Sequence, residues 1–134
     1  MNNRERKDYL LHVAEKKYEE MKRSWKESDW NMVIRNAQEA IEFYLKATFK
    51  YMNIEIPKEH DIGKYFEKIL IERNIQYDKN TLEKIKILSK ELADKRAPAY
   101  YGEEFYSQDE AERAKEGAEF VKIYIKYFLK KLGT

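Results

Sequence analysis

The sequence predicts an all-α protein: an antiparallel, up-and-down bundle of four to five helices forming one domain over residues 1–134. Three observations carry that reading. Glycine occurs four times and proline twice, and both prolines fall in expected connections. Sandwiches and barrels need turn residues far more often. Apolar residues recur at alternating steps of three and four along most of the chain, which is the helical period. Finally, 134 residues bury enough surface for one core without metal or disulfide support.

The first helix is expected from about Arg4 to Lys26, with Leu11, Ala14, Tyr18, Met21 and Trp25 on one stripe. Ser28-Asp29 offers side-chain oxygens to the free N–H groups that open the second. The second helix carries Trp30, Ile34, Ala37, Ile41, Tyr44, Thr48 and Met52, flanked by Val33, Ala40, Leu45 and Phe49. That stripe is wider than one partner requires, so this helix is central. The connection before it is short, which makes helices 1 and 2 antiparallel neighbours.

A loop from Asn53 to His60 is broken by Pro57. The third helix spans about Asp61 to Arg73, with Ile62, Tyr65, Phe66, Ile69 and Leu70 turned inward. The fourth begins near Asn80-Thr81 and presents Leu82, Ile85, Leu88 and Leu92. It is expected to end before Pro98, because a proline pushes the residue ahead of it out of helical space. Ala97 to Tyr106 then reads as an ordered loop. Ser107-Gln108-Asp109-Glu110 is a capping box. The last helix follows to about Leu132, with Gly133 able to stop it. Its stripe is Ala111, Ala114, Ala118, Val121, Ile125, Phe128 and Leu132. The small residues permit close approach to another helix, of the same chain or of a second subunit.

Charge limits the chemistry. The 27 basic and 25 acidic residues leave +2, which argues against a surface built throughout to grip a polyanion and allows a local basic patch. The 39% charged content suits the ion-pair-rich surface of a thermophile. There is no cysteine, hence no disulfide, thiol nucleophile or zinc–thiolate site. Met1 to Arg6 lacks the apolar core of a signal peptide, and no apolar run reaches a membrane span. The expected location is the cytoplasm, with no membrane partner.

The two histidines, His12 and His60, sit in no metal-ligand spacing. His12 reads as a surface or packing residue and His60 as a cap or loop anchor. No nucleophile signature and no glycine-rich phosphate loop is present, so no catalytic residue, metal or cofactor is assigned. Glu42 and Lys46, four apart with the acid first, read as a surface ion pair. Arg96, Tyr100, Tyr101, Phe105 and Tyr106 cluster around the expected loop. Arginine with tyrosine can hold a phosphate and stack a base. The competing reading is a loop pinned by its aromatics, with Arg96 on helix-end carbonyls.

Four motifs in order give the chain a family resemblance. Glu39-Ala40-Ile41-Glu42-Phe43-Tyr44-Leu45-Lys46-Ala47 lies on helix 2, His60-Asp61-Ile62 opens helix 3, Arg96-Ala97-Pro98 ends helix 4, and Ser107-Gln108-Asp109-Glu110-Ala111 opens the last helix. Together they resemble the compact prokaryotic type of HEPN domain, with Glu39 where glutamine is usual. The resemblance implies a helical bundle, usually dimeric. It also implies one of two activities. Some members are ribonucleases or toxins that use an arginine followed after four to six residues by histidine. Here Arg96 is followed at those spacings by Tyr101, Gly102 and Glu103, and Arg113 by Ala118, Glu119 and Phe120. The other branch pairs with a minimal nucleotidyltransferase, as a partner or nucleotide-binding subunit.

The favoured expectation is a homodimeric, non-catalytic subunit that binds a nucleotide or RNA, or a nucleotidyltransferase partner. Its binding surface is placed at Arg96 and Tyr101, with Arg35 and Lys46 of helix 2 contributing. The alternatives are a divergent RNA-cleaving toxin of a toxin–antitoxin pair and a dimeric scaffold without a nucleotide ligand.

Overall fold

Five helices make up the computed structural model, which describes residues 1–133: α1 (Asn3–Lys26), α2 (Trp30–Tyr51), α3 (Gly63–Glu72), α4 (Lys79–Tyr101) and α5 (Gln108–Lys131). Each long helix begins on a side chain suited to its free N–H groups. Asn2 and Glu5 form a capping box at α1, Asp29 caps α2, Asp78 caps α4, and Ser107 with Glu110 boxes the start of α5. The short α3 has no side-chain cap of its own. Its first N–H, from Gly63, donates instead to Ser89 Oγ of α4 at 2.9 Å, and Ser89 Oγ donates to Asp61 at 2.7 Å.

The long helices alternate in direction. The beginning of α2 meets the end of α4, where Asn31 Nδ2 donates to the Ala99 carbonyl at 3.2 Å. The other end of α2 meets the end of α5, where the Tyr51 hydroxyl donates to the Leu132 carbonyl at 3.4 Å. There Lys7 of α1 also approaches the Tyr51 ring. α2 packs against every other helix, as its wide stripe requires. Val33, Ile34, Ala37, Ala40, Ile41, Tyr44, Leu45 and Phe49 are all buried. Phe66 of α3 fits between Phe49 and Phe128, with ring centres 6.2 and 5.3 Å away. Burying a side chain of that size contributes roughly 1.5–3 kcal/mol.

Ala111, Ala114, Gly117 and Ala118 of α5 are buried within the chain itself. The close approach they permit is therefore intramolecular. At Gly117 a Cβ would lie 2.8 Å from a methyl of Leu88. No helix among the described residues is long and apolar enough to cross a membrane.

The structure corrects two local expectations. α4 does not stop before Pro98 but continues through it to Tyr101. Proline removes one donor and crowds the carbonyl four residues back. Here that carbonyl belongs to the exposed Asp94, and the last turn is held from outside by the bond from Asn31. The loop thus shortens to Gly102–Tyr106. The Glu42–Lys46 pair exists, but Glu42 is buried rather than at the surface.

Candidate functional site

The face formed by the start of α2 and the end of α4 is built around Asn31. Asp29 already caps α2, accepting from the Met32 N–H, which frees the Asn31 amide for longer-range bonds. Asn31 Nδ2 donates to the carbonyls of Ala99 and Glu104, the second at 2.8 Å, and Asn31 Oδ1 accepts from the Tyr106 N–H at 2.9 Å. One side chain thus fastens both ends of the 102–106 loop. Gly102, at φ 68°, makes the left-handed turn that ends α4. The N–H groups of Gly102, Glu103 and Glu104 converge on the Pro98 carbonyl.

One helical turn beyond Asn31 comes Arg35. Its guanidinium carbon lies 3.7 Å from the centre of the Tyr100 ring, while its Nε donates to Glu39 at 3.0 Å. Glu39 is also 3.6 Å from Lys17 of α1. Tyr100 meets Tyr101 edge to face, with ring centres 4.8 Å apart. Tyr101 is 72% and Phe105 is 87% exposed, so two aromatic faces point into solvent beside a held guanidinium. A shallow cleft next to them is lined by Ser28, Asp29, Trp30, Asn31, Phe105 and Tyr106. Burial first, and the Glu104 carboxylate second, push the Tyr106 phenol above its usual range and keep it neutral.

Arg96 lies one turn before Tyr100, so helical periodicity places both on one side of α4. Its Nε is buried and has no hydrogen-bond partner among the described residues. The expected capture of helix-end carbonyls by Arg96 is absent from the described hydrogen bonds, and Asn31 provides the anchoring instead. That N–H is closed to solvent, so an acceptor reaches it only if the packing around it rearranges.

Lys46 is not brought to this face. It stands three turns further along α2, about 16 Å from Arg35 by helical rise. Its Nζ donates to Glu42 at 2.6 Å. Glu42 is the hub of a separate polar cluster. Gln38 Nε2 donates to it at 3.0 Å, and His60 Nδ1 lies 2.8 Å away, placed to donate as Nδ1–H. Gln38 also donates to the His60 carbonyl. His60 is thereby the loop anchor that its position suggested. His12 is exposed on α1. No group of three or more metal-ligating side chains occurs among the described residues.

Of the four sequence-chosen residues, then, Arg35 joins the α4 aromatics directly. Tyr101 extends that stack through Tyr100, Arg96 lies one turn back, and Lys46 stands apart. Asn31 and Tyr100 are the members that the choice lacked. The signal for Asn31 was a second polar side chain just inside a helix whose cap was already supplied.

No curated protein and no solved structure shows a significant match to this chain. The family model for the HEPN domain matches residues 8–129, from within α1 to within α5, and so includes the Asn31–Tyr106 face. On that match the chain belongs to the HEPN domain family.

Proposed function

We propose that the chain is a non-catalytic, homodimeric subunit of the cytoplasm that binds a nucleotide, or the nucleotide site of a minimal nucleotidyltransferase partner. The observation that carries this reading is the side chain at position 101. At the spacings where the ribonuclease branch of the family has a histidine, this chain has Tyr101, Gly102 and Glu103, and Tyr101 is exposed and edge-on to a Tyr100 ring that is itself covered by Arg35. General acid–base cleavage of RNA near neutral pH needs a group that exchanges protons there, and histidine is the usual one. A phenol is a poor substitute for an imidazole in that role. It does offer a stacking face for a base, with Arg96 supplying a charged donor for a phosphate. The acidic loop residues Glu103 and Glu104 favour a compact ligand at this face over a long polyanion.

The second reading, a divergent RNA-cleaving toxin, is favoured by one feature: the arginine of the family's ribonuclease motif is kept, as Arg96. Co-purification from the native cell separates the readings. Recovery of a small nucleotidyltransferase or a bound nucleotide supports the first. Metal-independent RNA cleavage by the purified chain, abolished in Arg96→Ala, establishes the second. Neither outcome would leave a dimeric scaffold.

A further inference from the structure

We propose that the outward face of α5 is the seam on which a second copy of this chain docks, with the two α5 helices antiparallel about a two-fold axis beside Ile123. This rests on the homodimer of the reading above and gives it a face and a register.

The inner face of α5 is used up in the chain's own core. Its outer face has a separate pattern. Glu116, Phe120, Ile123, Tyr127 and Lys130 follow one another at alternating steps of four and three, so they form one seam. The middle is apolar and open to water, with Ile123 62% and Tyr127 63% exposed. Phe120 is half-buried beneath the Lys84 ammonium. A groove against α4, lined by Thr81, Phe120, Ile123, Tyr124 and Tyr127, continues this surface. A contiguous apolar strip with charged ends is the form of an interaction surface.

The charges choose the occupant. Apart from the exposed Arg113, which pairs with Glu91, the outer face is acidic before Ile123, with Glu112, Glu116 and Glu119, and basic after it, with Lys126, Lys130 and Lys131. Lys126 already pairs with Glu15. The other five form no ion pair among the described residues. The helix macrodipole accounts for charge in the first and last turns only. Glu116 and Glu119 lie beyond its reach. Along the axis, Glu116 and Lys130 stand about 10 Å on either side of Ile123. An antiparallel second copy therefore sets Glu116 against the Lys130 of its mate, and Lys130 against Glu116, with the apolar strips facing one another. A parallel copy sets acid on acid and lysine on lysine. An isologous contact requires this self-complementarity.

The test is sedimentation equilibrium of the full chain at micromolar concentration, with circular dichroism to verify folding. Four proteins are compared: wild type, Ile123→Asp, Glu116→Lys, and Glu116→Lys combined with Lys130→Glu. All the altered positions are exposed, so the fold is retained. The wild type is expected to dimerise and Ile123→Asp to be monomeric. Glu116→Lys should weaken the dimer about tenfold, since two symmetric pairs turn repulsive. The double charge swap should restore it. A monomeric wild type overturns both this seam and the homodimer. A wild-type dimer indifferent to Ile123→Asp overturns the seam alone. A charge swap that fails to restore association overturns the antiparallel register.

Discussion

The central carbon of the Arg35 guanidinium lies 3.7 Å from the centre of the Tyr100 ring, joining α2 to the last turn of α4. The same guanidinium donates to Glu39, which Lys17 of α1 also approaches. Three helices thus converge on one half-buried arginine. A double-mutant cycle with Arg35→Ala and Tyr100→Ala should return a coupling of about 0.5–1 kcal/mol in urea denaturation, the range for a partly exposed cation–π pair. A coupling near zero would mean that the stack adds nothing beyond contact.

Asn31→Ala removes two donors and one acceptor from the loop in a single change. A loss of about 1–3 kcal/mol is expected, because carbonyls and an N–H lose partners that only Asn31 reaches. The local signature is sharper than the global one. Hydrogen exchange at the Tyr106 amide should accelerate well beyond what the change in global stability explains. Unchanged protection at Tyr106 would show that the loop is held by other contacts.

Two buried glycines should respond differently to alanine. At Gly63 a Cβ would lie 2.7 Å from Ser89 Cβ and 3.2 Å from the Ile85 carbonyl, neither of which can swing away. Gly63→Ala is expected to destabilise by about 1–3 kcal/mol. At Gly117 the clash is with the end of the Leu88 side chain, and alanine gains about 1 kcal/mol of helix propensity. Gly117→Ala should therefore change stability much less. Equal losses in thermal or urea melts would count against this packing.

Acid should weaken the joins between α5 and its neighbours. The Arg113 guanidinium donates twice to Glu91, at 2.8 and 2.9 Å, and this holds the Glu91 carboxyl below its usual range against the opposing effect of burial. Burial raises Glu15, but Lys126, the Tyr44 phenol and Lys122 together more than offset it and leave its pKa lowered. A carboxyl whose folded pKa is depressed stabilises the fold above its unfolded value. That stability is lost as pH falls through the folded value. Stability should thus decline below about pH 4.5, and Glu91→Gln should flatten part of that decline. Since Arg113 is largely exposed, the difference at neutral pH should stay under about 1 kcal/mol. An acid slope unchanged by Glu91→Gln would contradict the assignment.

The sequence made the bundle legible wherever local chemistry and period agreed. Ser107 and Glu110 are close enough in the chain for the capping box to be read directly, and the α5 stripe of alanines runs without interruption. The central position of α2 followed from the width of its apolar face. Pro98 was misread because the local rule is a preference, and a distant residue, Asn31, holds the turn beyond it. The Glu42 cluster was hidden for the same reason. The spacing to Lys46 shows one ion pair, whereas burial and the bond to His60 depend on a loop eighteen residues away. The α4 end of the candidate site could be named because its residues lie within one short stretch. Asn31 could not, since its partners lie some seventy residues on.

The most direct test of the account is calorimetric titration of a mononucleotide such as AMP or ATP into the wild type and Arg96→Ala, with the melting temperature of each recorded. Arg96 lies on α4 one turn before the Tyr100–Tyr101 stack. Binding by the wild type is expected, weakened in Arg96→Ala by about 1–3 kcal/mol, the range for a hydrogen bond to a charged group. The fold should largely survive. No binding by the wild type, or equal affinity alongside a large drop in the melting temperature of the variant, would contradict the account and make Arg96 a structural residue.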